Sequence, residues 1–387
     1  MTPPEDYDII CFSHLRWNFV YQRPQHVLSH FSRNHRIFFI EEPVFDDTGD
    51  RYYLRKEENI NVWVVVPHLA SHLTSDEIND RLREMINHIL DTSQVTDYIT
   101  WYYTPLALKF TEHLQPLLTV YDCMDELSAF KFAPPELLEY ETRLMERTAV
   151  MFTGGHSLFE AKKSKHNNIF AFPSSIDKDH FGTARDLKSE PEDQRSIPHP
   201  RLGFFGVIDE RFDIDLIKAV AGRRPDLNFV LIGPVVKIDP STLPYADNIH
   251  YLGGKTYAEL PQYLSGWDVA LMPFARNEST RFISPTKTPE YLSGGRPVIS
   301  TSIQDVVQPY GQSGFVEIAD TPVEFIEAID KILGMHPDTY TTWLDGVDQF
   351  LADMSWNKTC NAMSEHIEHS LLNFRSQTQE KCLTILS

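Results

Sequence analysis

Short apolar runs alternate with segments of helical periodicity in the first half of the chain. The runs that predict β-strands cover residues 7–13, 36–40, 61–66, 97–103, 117–121 and 150–153. Between them, apolar residues recur at helical spacing after Arg23-Pro24, across 75–90 and across 135–149. Strands that alternate with helices pair in parallel, so the pattern predicts a doubly wound α/β domain.

The same rhythm restarts in the second half, where strand predictions cover 201–206, 227–233, 249–252, 269–272, 297–300 and 314–318. A helix is predicted around 214–221, and the last periodic stretch, 356–372, predicts a terminal helix. Residues 183–200 are polar and rich in charge and proline, which is typical of a linker. The prediction is therefore a Rossmann-like domain at 1–182, a linker at 183–200, a second Rossmann-like domain at 201–355, and a helix and tail at 356–387.

Composition narrows the class of protein. The 387 residues suit two domains, and a net charge of −20 argues against nucleic-acid binding, which needs a basic face. Cys11, Cys123, Cys360 and Cys382 lie far apart without a CxxC pair, so neither a zinc site nor a disulfide framework is expected. No apolar run is long enough to span a bilayer, and the acidic residues 1–6 are unlike a signal peptide. We therefore expect a cytoplasmic protein.

The segment 277–299 carries the most specific chemical signal. A strand ends at Met272, a polar loop follows, and a helix begins near 285–289 and stops at Gly294-Gly295. The amino end of a helix beside the carboxyl end of a strand favours an anion, because unpaired backbone N–H groups point outward there. The segment therefore predicts a phosphate site.

Polar side chains surround this predicted helix start. Ser284, Thr286 and Lys287 supply hydrogen-bond donors, and Glu290, on the same helical side as Lys287, can accept bonds from two vicinal hydroxyls. A phosphate site beside a diol site describes a nucleotide. A capped helix with a solvated Lys287–Glu290 pair would present the same residues, and at this point it remains an alternative.

With its flanks, the segment resembles the nucleotide-binding stretch of GT-B glycosyltransferases, specifically the family-4-like retaining enzymes. Residues 285–299 follow their Pro-x-Lys-x-x-Glu-Tyr-x-x-x-Gly-x-Pro-Val-Ile pattern. The loop from Gly206 to Arg211 looks like the one after the first strand of their donor domain, in which a basic residue reaches the diphosphate. Residues 172–181 are similar to the family's domain junction, and the helix from Trp356 is similar to its closing helix, which crosses back onto the first domain.

This resemblance implies a GT-B fold, with two Rossmann-like α/β domains facing an interdomain cleft. It implies transfer of a sugar from a nucleotide-diphosphate-sugar, a UDP-sugar, held by the second domain, with retention of configuration. The hydroxyl acceptor would be a growing surface polysaccharide or a lipid-linked glycan, and a lipid-linked acceptor would allow weak peripheral association with the inner face of the membrane. No cofactor and no metal are expected, and Asp213-Ile-Asp215 is more simply a helix start than a metal site.

The sequence departs from the family pattern in the donor segment. Phe282 stands where the family commonly has a glutamate, eight positions before Glu290. Glu278 would substitute for it if the loop is longer, although an exposed loop acid explains Glu278 equally well. The family's glycine-rich loop after the first strand is also missing, and His14 and Arg16 stand there instead. We therefore expect Arg16 to add to the diphosphate contacts.

Further polar residues follow the strands of the first domain and make up the predicted acceptor side. Asp122 or Asp125 would orient an acceptor hydroxyl, although capping of the next helix explains Asp125 equally well. His156 would contact the sugar or the acceptor, with a purely structural histidine as the alternative. Four further residues are expected on this side or in the cleft: His14, Arg16, Arg23 and His26. Arg23 would alternatively pair with a nearby acid.

Three other functions compete with sugar transfer. A nucleotide-sugar 2-epimerase shares the GT-B architecture, and a noncatalytic nucleotide- or sugar-binding protein would use the same donor site. A dinucleotide-dependent oxidoreductase is disfavoured, because neither half opens with GxGxxG after its first strand.

Overall fold

The computed structural model of the chain describes residues 7–187 and 189–385, with side chains through residue 374. The acidic stretch 1–6 and the Cys382 side chain lie outside this description. The chain divides into two compact units. The first contains the residues up to Ser128, Phe132–Phe172 and the chain from Trp356 onward, and the second contains Ala129–Lys131 and Pro173–Ser355.

The strands of each unit form one sheet. In the first unit they are β1 (Asp8–Ser13), β2 (Ile37–Glu41), β3 (Val44–Phe45), β4 (Arg51–Lys56), β5 (Val62–Leu69), β6 (Tyr98–Tyr102), β7 (Leu118–Cys123), β8 (Val150–Thr153) and β9 (Ile169–Ala171). In the second they are β10 (Arg201–Phe205), β11 (Asn228–Ile232), β12 (Ile249–Gly253), β13 (Val269–Met272), β14 (Val298–Ser300) and β15 (Val316–Ile318).

The helices of the described chain are α1 (Arg23–Phe31), α2 (Ser75–Thr92), α3 (Leu108–Thr111), α4 (Leu137–Arg147), α5 (His156–Lys162), α6 (Lys178–Gly182), α7 (Glu192–Arg195), α8 (Ile214–Arg223), α9 (Leu260–Ser265), α10 (Lys287–Ser293), α11 (Gln304–Val306), α12 (Pro322–Leu333), α13 (Pro337–Leu351) and α14 (Trp356–Ile385). Among the described residues, no helix is both long enough and apolar enough to cross a membrane.

Both sheets are parallel and doubly wound, as the sequence predicts. The second sheet runs β12-β11-β10-β13-β14-β15, so its strand order reverses between β10 and β13. The first sheet contains the same order in β5-β2-β1-β6-β7-β8, with β3, β4 and β9 added at its sides, and β4 pairs antiparallel with β5. Ligands of such sheets bind beyond the carboxyl ends of the strands where the order reverses.

The central strands of the first unit carry apolar residues on both faces, and these residues form its core. Ile9, Ile10 and Phe12 of β1 are all buried, as expected for a parallel strand covered on both sides by helices. The terminal helix α14 belongs to this unit. Its predicted apolar positions, including Trp356 and Ile367, join the same core.

The stretch 183–200, predicted to be a linker, instead packs into the second unit. Gln194 is buried, donates to the Tyr263 carbonyl at 3.0 Å and accepts from the Trp267 indole N–H at 2.9 Å. Arg201 pairs with Glu190 at 2.5 Å. Gln194 is satisfied by partners 69 and 73 positions along the chain, so a locally polar composition does not make the stretch a free connection.

Candidate functional site

The structure brings Gly206 and Lys287 together at the carboxyl end of β10. Lys287 is the first residue of α10, and its ammonium lies 5.9 Å from the centre of the Phe204 ring. A Cβ added at Gly206 would overlap the Lys287 side chain, and Gly206 has a φ of +145°. Gly206 therefore allows the lysine to cross the backbone closely where the strand order reverses.

Helix α10 is fixed by its buried face. Tyr291 and Leu292 are fully buried, and the Phe205 N–H donates to the Tyr291 hydroxyl at 3.0 Å. This bond joins the middle of α10 to the last residue of β10. Ser284 and Thr286, the other two predicted donors, precede the helix and are partly exposed. Their hydroxyls lie in the segment that leads into the Lys287 end of α10.

Glu290 is the buried carboxylate of the site. It lies on α10 and is only 7% exposed. Burial raises its pKa to about 7, although the charge of Lys287 opposes this rise. In the part of the chain that the structure describes, the Glu290 carboxylate accepts no hydrogen bond. A carboxylate to which no protein group donates suits a ligand that supplies hydroxyl groups.

The raised pKa of Glu290 predicts a pH-dependent stability of the ligand-free protein. Because burial disfavours the ionised carboxylate, wild-type stability should fall as the pH rises from about 4.5 through about 7. Glu290→Gln cannot ionise, so we expect it to be more stable than wild type by roughly 3 kcal/mol at pH 8 and nearly equal at pH 4. Thermal unfolding across this pH range measures the difference. The exposed Glu278→Gln serves as the control, and an advantage of Glu290→Gln that does not change with pH would contradict the prediction.

Arg211 lies in the loop after β10 and is held by an acid of the same loop. Its guanidinium bonds both carboxylate oxygens of the buried Asp209, with the shortest distance at 2.7 Å. The loop itself is anchored on two sides, because Ile208 pairs with Val235 and Phe212 pairs with Phe274. Arg211 is therefore fixed beyond the same strand end as Gly206.

Glu278 does not share the burial of Glu290. Its side chain is 76% exposed and pairs with Arg281 at 3.5 Å. The Arg281 guanidinium also lies 5.1 Å from the centre of the Phe282 ring. Glu278 is therefore an exposed acid of the loop, which was the alternative interpretation of this residue.

In the first unit, the structure contradicts the prediction that Asp122 and Arg23 face a substrate. The side chain of Asp122 is 0% exposed and that of Arg23 is 2% exposed. The guanidinium bonds both Asp122 oxygens, with a shortest distance of 2.8 Å, and donates to the Phe172 carbonyl at 2.7 Å. The hydrogen-bonding groups of this ion pair face each other and the protein interior. The alternative for Arg23, pairing with a nearby acid, is the one observed.

Asp125 and His156 follow neighbouring strands of the first sheet. Strands β7 and β8 are paired in parallel, so their carboxyl ends lie at one edge. The loops after them approach closely, because the Gly154 N–H donates to the Cys123 carbonyl at 2.9 Å. A Cβ at Gly154 would lie 2.6 Å from the Met124 carbonyl oxygen. Asp125 is partly buried, and His156 is exposed at the first position of α5.

The remaining predicted residues of the first unit already contact neighbouring groups. Arg16 donates to Glu41 at 2.8 Å and to the Glu42 carbonyl at 2.6 Å. His26 stacks on Trp356 with ring centres 4.5 Å apart and an angle of 9° between the rings. His14 lies half-buried in the loop after β1.

A buried network of charged residues that includes Glu126, the residue after Asp125, was not predicted from the sequence. Lys162 of α5 is almost fully buried and pairs with Glu141 at 2.7 Å and with Glu126 at 2.8 Å. The Tyr121 hydroxyl also donates to Glu141 at 2.9 Å. Burial by itself would lower the pKa of Lys162, but Cys123 and the two carboxylates raise it above its ordinary value. The available signal was Glu126 directly after Asp125, with a lysine at the end of α5.

Residues 199–335 match the family described as Glycosyl transferases group 1. This part of the chain is similar to the group 1 glycosyl transferases. The matched residues include Arg211, Lys287 and Glu290, so the predicted donor site lies inside the matched segment. A stretch of 143 residues is also 31% identical to TuaH of Bacillus subtilis (strain 168), named as a glycosyltransferase of teichuronic acid biosynthesis. That match covers 35% of this chain and 36% of the length of that relative.

Solved structures resemble the chain over nearly its whole length. Sucrose-phosphate synthase of Thermosynechococcus elongatus has a TM-score of 0.69 at 13% identity and covers 94% of this chain and 98% of its own. Anabaena HepE in complex with UDP and glucose has a TM-score of 0.67 at 14% identity, covering 93% and 99%. WaaG, a glycosyltransferase of lipopolysaccharide biosynthesis, has a TM-score of 0.61 at 11% identity, covering 92% and 98%. The chain thus has the GT-B fold, which confirms the fold prediction.

Proposed function

We propose that the protein is a glycosyltransferase that moves a sugar from a nucleoside diphosphate sugar to a hydroxyl group of a glycan. The observation that carries this proposal is the placement of Lys287 and the buried Glu290 three positions apart on α10, within the segment that matches the group 1 glycosyl transferases. The cation would bind the diphosphate, and the carboxylate would accept hydrogen bonds from the ribose hydroxyls. A UDP-sugar is the proposed donor, and UDP in the complex of Anabaena HepE supports this choice.

The chemistry of this reaction needs charge stabilisation at two places. As the bond between the sugar and the diphosphate breaks, negative charge grows on the leaving diphosphate and positive charge grows on the sugar. Lys287 and Arg211 are the side chains that would stabilise the leaving diphosphate. The hydroxyls of Ser284 and Thr286 would add hydrogen bonds to the same phosphates.

We propose retention of configuration and independence from metal ions as further properties of this enzyme. In the front-face route proposed for such enzymes, the leaving phosphate takes the proton of the acceptor hydroxyl while the new sugar bond forms on the same face. The cations of the site then balance the phosphate charge throughout, and no separate protein base is required. Asp125 and His156, at one edge of the first sheet, are the proposed contacts for the acceptor.

The proposed acceptor is a surface polysaccharide or a lipid-linked glycan. The teichuronic acid step named for TuaH supports a cell-surface polymer. We place the reaction in the cytoplasm, where nucleotide sugars are made, with weak peripheral membrane contact if the acceptor is lipid-linked. His14, Arg16 and His26 belong to the same unit as the proposed acceptor contacts.

An acceptor-dependent release of nucleoside diphosphate tests the proposed function. A panel of nucleotide sugars is first screened by thermal unfolding, because a donor that binds the folded protein raises its Tm by mass action. With the stabilising donor, we expect nucleoside diphosphate to be released only when a glycan acceptor is present, and to the same extent with EDTA. Activity that is lost with chelator and restored by manganese would contradict metal independence.

The same assay separates the alternatives. Conversion of the donor to its epimer without acceptor would identify a 2-epimerase. Binding of the donor without release of nucleoside diphosphate, across the panel of acceptors, would identify a noncatalytic binding protein. Either outcome would overturn the proposed transferase activity but not the donor site.

A further inference from the structure

Two cations of the second unit converge on one aromatic ring. The Arg211 guanidinium carbon and the Lys237 ammonium each lie 5.4 Å from the centre of the Phe130 ring. Arg211 follows β10 and Lys237 follows β11, which are neighbouring strands of the sheet. Two cations at this distance from one centre are close enough for a small polyanion to contact both.

The backbone fixes these two positions relative to each other. Ile208 pairs with Val235, and the Val236 N–H donates to the Ile208 carbonyl at 3.1 Å. The two loops are therefore paired, and each cation follows the paired residues by a few positions. Lys237 has a φ of +61°, in the left-handed region that side chains other than glycine seldom adopt. Residues held in such a conformation occur preferentially at ligand sites.

We propose that Lys237 is a second phosphate-binding cation of the donor site and that the diphosphate replaces Phe130 between Lys237 and Arg211. The inference rests on the proposed function, because it assumes a nucleoside diphosphate donor. The face of an aromatic ring attracts a cation weakly, whereas a phosphate forms charge-assisted hydrogen bonds with it. Phe130 thus stabilises two like charges in the free protein, and the anion stabilises them more strongly when it binds.

Lys237→Gln tests the role of the lysine, with UDP and uridine as the probes in calorimetric titrations. We expect the variant to bind UDP about tenfold more weakly than wild type, the change that follows from loss of one phosphate contact, and to bind uridine unchanged. Lys218→Gln, an exposed lysine of α8, is the matched control and should bind UDP like wild type. Equal UDP affinity in wild type and Lys237→Gln would overturn the inference. If wild type itself binds no nucleoside diphosphate of a UDP, ADP and GDP panel, the proposed function fails instead.

Phe130→Ala tests whether the ring holds the place of the anion. Because the ring no longer competes, we expect UDP to bind about threefold more tightly, the free energy of one weak cation–π contact. This gain should become smaller when Phe130→Ala is combined with Lys237→Gln, because the ring then competes only for Arg211. Weaker UDP binding by Phe130→Ala, in a protein with an unchanged Tm, would show that the ring contacts the ligand and would overturn the replacement.

Discussion

Lys287→Met is expected to raise the Kd for the nucleoside diphosphate sugar by about a hundredfold in a protein that still folds. A hydrogen bond to a charged group contributes roughly 1.5–3 kcal/mol, and each 1.4 kcal/mol changes Kd about tenfold. The Lys287 ammonium lies beside Gly206, where the proposed diphosphate would bind. Methionine keeps most of the side-chain volume, so the packing across Gly206 is preserved while the charge is lost.

The protonation state of Glu290 provides a second measurement for this prediction. The Lys287 charge opposes the rise in the Glu290 pKa, so Lys287→Met should raise that pKa further above about 7. Glu290 would then be protonated at neutral pH and would accept hydrogen bonds from the ribose less strongly. We therefore expect the effects of Lys287→Met and Glu290→Gln on Kd to be less than additive at pH 7.

Isothermal titration with the donor that stabilises wild type measures both effects. Lys218→Met, which removes an exposed lysine from the same unit, is the control for a general loss of positive charge. The assignment of the donor site to α10 is wrong if Lys287→Met and the control bind the donor equally well.

The architecture was predictable because burial of parallel strands leaves a strong local signal. Strands covered on both faces are apolar throughout, and each predicted apolar run, including those of β1, β7 and β13, became a strand. Strand β4 was missed, because Arg51–Lys56 mixes charged and aromatic residues and lies largely exposed beside β5. Its pairing depends on a partner rather than on its own composition.

The predicted donor site and the predicted acceptor side differ in how far apart along the sequence their residues lie. Lys287 and Glu290 are three positions apart on one helix, so their proximity follows from helical geometry. Asp122 and Arg23 are 99 positions apart, and no local pattern indicates that they pair. Asp122 lies near the end of a strand and Arg23 at the start of a helix. At such positions, the sequence does not distinguish a functional side chain from a member of a buried ion pair. Lys237 was missed for the same reason, because its proximity to Arg211 depends on the pairing of two loops.

Arg23→Met is expected to destabilise the first unit by about 3–5 kcal/mol, the typical cost of leaving one member of a buried ion pair without its partner. Asp122 would remain fully buried with neither of its bonds from Arg23, and the Phe172 carbonyl would lose a donor as well. Asp122→Asn should have a similar effect, because it leaves the guanidinium buried beside a neutral group. The pair would then be a structural element and not part of the chemistry.

Hydrogen exchange resolved by segment measures this destabilisation in the unit where it arises. We expect faster exchange in β1 and β7 of Arg23→Met, with exchange in β10 and β13 unchanged, because the ion pair lies wholly in the first unit. Lys163→Met breaks the exposed pair with Glu160 in the same unit and should leave both sets unchanged. The double variant Arg23→Met and Asp122→Leu removes both charges, so it should recover much of the stability lost in Arg23→Met. If Arg23→Met instead leaves exchange in β1 and β7 at the wild-type rate and abolishes only acceptor use, the pair acts on the substrate, and its structural role is refuted.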